Sequence, residues 1–168
     1  KAEGGVISGE QFVDECQVES DLELLLPATY VTGSSERMLL YRELDSLTLD
    51  KDVEAFRNRL IDRFGPVPSE TEELLRIVPL RRLAARLGAE KVFLKGGRMS
   101  LFFISNPESP YYQSQAFGKV IAYMMKYTRR CDLREQNTRR SMLVKDVKNV
   151  ETAVGVLQEI VAMQVEEG

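Results

Sequence analysis

The sequence predicts an α+β fold, with helices packed on a small antiparallel sheet in a single domain, and three observations lead there. Between residues 34 and 88, three successive segments carry apolar side chains at the three-and-four spacing of an amphipathic helix. From residue 90 the period shortens towards two, and short β-rich runs alternate with turn residues and two further helical stripes. The chain has 168 residues, 43% of them hydrophobic and 29% charged. That is enough for one core that buries roughly two-thirds of the unfolded surface.

Each element has its own signal. Residues 1–15 run through Gly4, Gly5 and Gly9 with little periodicity and start on Lys1. They are expected to be a linker or tail from the preceding region of a longer protein, with the domain covering 16–168. The loosely alternating stretch from Cys16 to Leu26 reads as a strand that Pro27 stops. Gly33-Ser34-Ser35 offers an N-cap for a helix with Met38, Tyr41, Leu44 and Leu47 on one face. Asp50 caps the next, whose stripe is Val53, Phe56, Leu60, Ile61 and Phe64, and Gly65-Pro66 ends it. Ser69 and Glu72 form a capping box for a third, with Leu74, Ile77, Val78, Leu83 and Leu87 inward as far as Gly88. Pro79 inside that pattern predicts a kink or two shorter helices.

Residues Glu90–Lys95 and Arg98–Ile104 are strands joined by Gly96-Gly97, a two-residue hairpin signal. Asn106–Pro110 is a loop, and Phe117, Val120, Ile121 and Met124 mark a helix. Cys131–Arg134 and Ser141–Val144 read as two more strands around a Gln136-Asn137-Thr138 turn. Asn149 caps the last helix, with Val150, Val154, Leu157 and Val161 inward.

Composition narrows the chemistry. There is no histidine, hence no Ser-His-Asp or Cys-His arrangement and no side chain that titrates near neutrality without a strong shift. Two cysteines, Cys16 and Cys131, make neither a disulfide framework nor a zinc knuckle. No apolar run approaches the roughly 20 residues of a membrane span. No phosphate loop is present, and Ser8 lacks both the nucleophile-elbow pattern and a histidine partner. Glu70, Glu72 and Glu73 fill a first helical turn, where they complement the dipole. A non-catalytic domain without cofactor or metal is therefore expected.

The net charge of −3 conceals a segregation. Residues 1–54 hold 4 basic and 13 acidic side chains, whereas residues 76–148 hold 16 basic and 5 acidic. Arg81, Arg82, Arg86, Arg139 and Arg140 are candidates for a basic surface, and Tyr111, Tyr112, Tyr123 and Tyr127 lie close enough in sequence to add stacking. A solvated or protein-binding face is the preferred reading of these cations, and DNA contact by this domain alone is not expected. The alternative is a nucleic-acid-binding module that uses the basic face of residues 76–148.

One stretch is recognisable. Leu26-Pro27, Tyr30-Val31 and Arg37-Met38-Leu39-Leu40-Tyr41-Arg42 precede Leu60-Ile61-Asp62-Arg63-Phe64-Gly65-Pro66-Val67-Pro68, Leu74-Leu75 and Leu80-Arg81-Arg82-Leu83-Ala84-Ala85-Arg86-Leu87-Gly88. In this order they resemble the C-terminal domain of bacterial transcription-repair coupling factors. The resemblance implies a cytoplasmic bacterial parent that is a superfamily-2 DNA translocase, with its ATP-binding motifs elsewhere. It implies that this domain regulates the parent by docking on its UvrB-like N-terminal region, hiding the surface for the repair protein UvrA until RNA polymerase is engaged. Asp62 and Arg63 match the family's docking turn, while Arg59 stands where the family carries glutamate. That reversal implies either a partner surface of altered charge or docking through other residues. Between themselves, Arg59 and Asp62 are three apart and could pair on the helix surface.

Overall fold

A computed structural model describes residues 12–165. The segment 1–11, with Ser8 and most of the expected linker, lies outside the described residues, as do residues 166–168. Phe12 and Val13 pack on the main core, and Val13 is buried.

The elements, in chain order, are strand β1 (Gln17–Ser20), helices α1 (Ser34–Ser46), α2 (Asp50–Phe64) and α3 (Ser69–Arg86), and strands β2 (Ala89–Lys95) and β3 (Arg98–Phe103). A 3₁₀ turn (Pro110–Gln113), helix α4 (Gln115–Lys126), strands β4 (Cys131–Gln136) and β5 (Arg139–Val144), and helix α5 (Val150–Val161) follow. The five strands form one sheet in the order β1-β2-β3-β5-β4. It is antiparallel except at one edge, where β1 runs parallel to β2 with Val18 opposite Val92. Parallel neighbours require a crossover, and here α1, α2 and α3 supply it.

Both hairpin turns need left-handed backbone at two consecutive positions. Gly96 and Gly97 supply it at φ 63° and 75°, the residue type such turns favour. Asn137 and Thr138 adopt the same conformation at φ 53° and 66°, so the second turn is two residues long and starts after Gln136.

Alternation along the strands buries one side of the sheet only. Val92, Leu94, Met99, Leu101, Phe103, Met142 and Val144 face the C-terminal half of α3 together with α4 and α5 in the main core. A second cluster holds α1, α2 and the N-terminal half of α3, through Leu40, Leu44, Phe56, Leu60, Leu75 and Val78, with Leu26 and Val31 over it. Helix α3 is the shared spine. Pro79 lies between Val78, in the second cluster, and Leu80, in the first, and the helix runs through it unbroken rather than as two pieces.

Several caps differ from the expectation. Helix α1 buries Leu40 and Leu44, while Met38 stands exposed. Asp50 is the first helical residue of α2 and its side chain caps nothing. Ser69 and Glu72 form no capping box, because Glu72 is drawn to Arg57 of α2. Glu73 reaches α5 instead, accepting hydrogen bonds from the N–H groups of Val150 at 2.6 Å and Glu151 at 3.1 Å. Asn149 does cap α5, its Oδ1 accepting from Thr152 N–H at 2.7 Å. Among the described residues no helix is long and apolar enough to cross a membrane.

Candidate functional site

The C-terminal half of α2 carries Arg59, Asp62 and Arg63 on its outer side, opposite the buried Phe56 and Leu60. Their placement begins with the segment before α1. Thr71 Oγ1, fully buried, donates to the Leu25 carbonyl at 2.9 Å. Leu26 N–H donates to Tyr41 Oη at 2.7 Å. Tyr30 Oη donates to the carbonyls of Gly65 at 2.8 Å and Leu60 at 3.2 Å, and its ring lies 5.6 Å from that of Phe64. Residues 25–31 thus strap the end of α2 to its neighbours. Gly65, at φ 92°, ends the helix in a conformation that side chains disfavour. A forked contact, Arg57 Nη2 to Glu72 at 2.7 Å and Arg57 Nε to the same carboxylate at 3.0 Å, fixes α2 against α3. Hydrogen bonding from Arg57 holds the Glu72 carboxyl below its ordinary range, against the opposing effect of partial burial.

On the outer side, Arg59 pairs with Glu43 and Arg63 with Glu36, so two rungs join α2 to α1. The guanidinium of Arg59 lies 5.4 Å from the Phe56 ring centroid and that of Arg63 lies 4.9 Å from Phe64. Arg59 therefore does not pair with Asp62, despite the spacing. Asp62 is exposed, and its side chain has no hydrogen bond or ion pair among the described residues. The arrangement is a braced helix end that presents one unpaired carboxylate between two arginines anchored at their inner sides. Glu36 and Glu43 carry no local signal of this role, because their partners lie 27 and 16 residues away.

The candidate basic residues do not form one surface. Arg81 approaches Asp45 at 3.7 Å, and Arg82 binds Asp50 at 2.8 Å and the Thr48 carbonyl at 3.2 Å. Arg86 is exposed at the end of α3. Neighbouring positions on a strand face opposite ways, and Arg139 and Arg140 separate accordingly. Arg139 meets Glu90 at 3.2 Å on the uncovered side. Arg140 meets Glu135 at 3.3 Å and lies 4.4 Å over the Tyr112 ring. Of the four tyrosines, Tyr111 and Tyr123 are core residues.

A cleft of about 460 Å³ between α1, α3 and the approach to β1 is lined by Asp14, Glu15 and Asp45, with Arg81 and Arg82 facing them and Cys16 at its wall. Burial pushes the Cys16 thiol up to about 12, the opposite of what a nucleophile needs. Among the described residues no three His, Cys, Asp or Glu side chains come together as a metal site.

Comparison with known proteins gives consistent results. The family model of the TRCF domain matches residues 20–114. The transcription-repair-coupling factor of Rickettsia bellii (strain RML369-C) is 30% identical over 132 residues, 78% of this chain and 11% of that protein. Its counterpart in Staphylococcus haemolyticus (strain JCSC1435) is 25% identical over 131 residues, covering 74% of this chain and again 11% of the relative. The chain thus spans about a ninth of the curated relatives it matches. In fold it is similar to the crystal structure of the C-terminal domain of transcription-repair coupling factor, with a TM-score of 0.66 at 17% identity over 88% of this chain and 93% of the other. The chain belongs to the TRCF domain family, that of the C-terminal domain of bacterial transcription-repair coupling factors.

Proposed function

We propose that this domain is the non-catalytic, autoinhibitory module of an ATP-dependent DNA translocase that couples transcription to nucleotide excision repair. In this reading the outer side of α2 docks on the UvrB-like N-terminal region of the same parent, which masks the UvrA-binding surface and restrains the motor. RNA polymerase engagement supplies the competing free energy that releases it, in the cytoplasm of a bacterium. The reading asks for no catalytic residue and no cofactor in this chain.

The observation that carries it is Asp62. A carboxylate that is exposed and has no partner among the described residues, on a helix end braced by Tyr30, Arg57 and two cross-helix ion pairs, is a rigid presented charge. A preformed contact costs little ordering on docking. Docking of this kind is a two-state equilibrium, and weakening the closed contact shifts the population by its differential free energy.

Asp62→Arg in the parent protein tests it. We expect basal ATPase activity and UvrA affinity to rise, each by about fivefold or more, the scale of an ordinary interdomain coupling. Removal of the whole domain should give at least the same increase. Wild-type values in both measurements for both variants would sink the proposal.

A further inference from the structure

The uncovered side of the sheet is a second surface, separate from α2. Alternation places Lys91, Phe93 and Lys95 of β2, Arg98, Ser100 and Phe102 of β3, and Arg139, Ser141 and Leu143 of β5 on the side away from the main core. Phe93 and Phe102 are half-buried, yet neither belongs to either apolar cluster, and the helices that cover the sheet pack on the other side. Strand register puts Phe93 opposite Ser100 and Phe102 opposite Lys91, so the two residues are diagonal neighbours on the middle of the sheet.

Cations surround both rings. Lys91 Nζ and Lys95 Nζ lie 5.6 Å and 5.9 Å from the Phe93 centroid, and the Arg139 guanidinium lies 5.7 Å from that of Phe102. Arg98 and, from β4, Arg134 complete the set. Glu19 neutralises Lys91 at 2.6 Å, Asp132 meets Arg134 at 2.9 Å and Glu90 meets Arg139 at 3.2 Å. Lys95 and Arg98 have no ion pair among the described residues, and Arg139 Nε has no hydrogen-bond acceptor there. Beside Phe102 the surface sinks into a concavity of about 640 Å³, lined by Ser141, Arg139, Arg134 and the turn residues Asn137 and Thr138.

We propose that this face binds a single strand of nucleic acid, with bases stacked on Phe93 and Phe102 and phosphates held by Lys95, Arg98, Arg134 and Arg139. A flat sheet with aromatic rings on its middle strands can stack unpaired bases, and flanking cations neutralise the backbone. A duplex hides its base faces and cannot use the rings. A protein partner fits the face less well, since interface cores are depleted in lysine and charge. The residues differ from those the sequence suggested: Arg81 and Arg82 lie on α3 beside Asp45 and Asp50, and only Arg139 is shared.

The test is titration of the 168-residue chain into an end-labelled oligothymidylate of about ten residues, read by fluorescence anisotropy at about 0.05 M and 0.2 M salt. Saturable binding is expected at the lower salt, weakened about fiftyfold at the higher, as four phosphate contacts at a slope of about 0.7 each require. The pair Phe93→Leu and Phe102→Leu should weaken it about tenfold at fixed salt through lost stacking. Lys95→Gln with Arg98→Gln should make the salt slope shallower by about 0.7 per cation removed, a readout independent of any effect of the phenylalanine variants on folding. No saturable binding at low salt, or binding unchanged in both double variants, would overturn the proposal. So would equal affinity for the same sequence as a duplex or for polyglutamate, which would give the face to charge alone or to an acidic protein segment.

Discussion

Arg59 is the one position in the proposed docking turn where this chain departs from the pattern that the family resemblance implies, and Glu43 explains how the fold accommodates it. The guanidinium is directed across to α1 and pairs with Glu43 rather than the neighbouring Asp62, and it lies 5.4 Å from the Phe56 ring centroid. Its charge is therefore used within the domain, and Asp62 and Arg63 keep the orientation that the strap through Tyr30 imposes. Restoring glutamate at position 59 would set two carboxylates against each other. For Arg59→Glu we expect a loss of about 1 kcal/mol in urea unfolding, small because both groups are more than a third exposed. Adding Glu43→Arg should recover most of it. A single variant as stable as wild type would mean that the pair is ornamental. The legible part of this site was Asp62 and Arg63, which sit in a recognisable local string. Their bracing was not legible, because Glu36 and Glu43 resemble any other exposed helical glutamates until α1 and α2 are placed side by side.

Helix α3 shows at the next scale why periodicity read well and caps read poorly. Its apolar stripe named Val78 and Leu83 correctly, and the Gly96-Gly97 hairpin and the Asn149 cap followed from rules spanning only two to four residues. In the sequence its first turn reads as self-contained, with Ser69, Glu70, Glu72 and Glu73 serving their own helix. The structure sends Glu72 to α2 and Glu73 to α5. The parallel pairing of β1 with β2 is hidden in the same way, since three helices and their connections separate the two strands. Glu73 now has a calculable role. Its carboxylate accepts two N–H groups at the positive end of α5 and is held by Arg76 at 3.0 Å, so it acts as a cap delivered from another helix. Glu73→Ala should cost about 1–2 kcal/mol. Hydrogen exchange should show the Val150 and Glu151 amides losing protection while those of α4 keep theirs. Equal loss along both helices would assign the effect to general destabilisation.

A histidine-free domain has no side chain whose ordinary pKa lies near neutrality, so the proposed switch between docked and released states is one driven by binding. Stability against pH makes this measurable. On the acid side, Glu72 is held below its usual 4.5 by hydrogen bonding to Arg57. Its contribution is present above the unfolded value and is lost as the pH falls through the folded one, because the unfolded chain then binds the extra proton. On the alkaline side, the Cys16 thiol ionises at about 12 in the fold against an ordinary 9.0, and burial raises Cys131, Tyr111 and Tyr123 as well. Above about pH 9 the unfolded chain releases protons that the folded one retains, so stability falls as the pH rises. Between about pH 6 and 8 neither effect operates. Urea unfolding across that series should therefore give a plateau at neutrality with losses on both flanks. A midpoint that changes as much between pH 6 and 8 as it does between pH 3 and 5 would show that a group in the fold titrates near neutrality. The proposed undocking would then be open to control by protons as well as by binding.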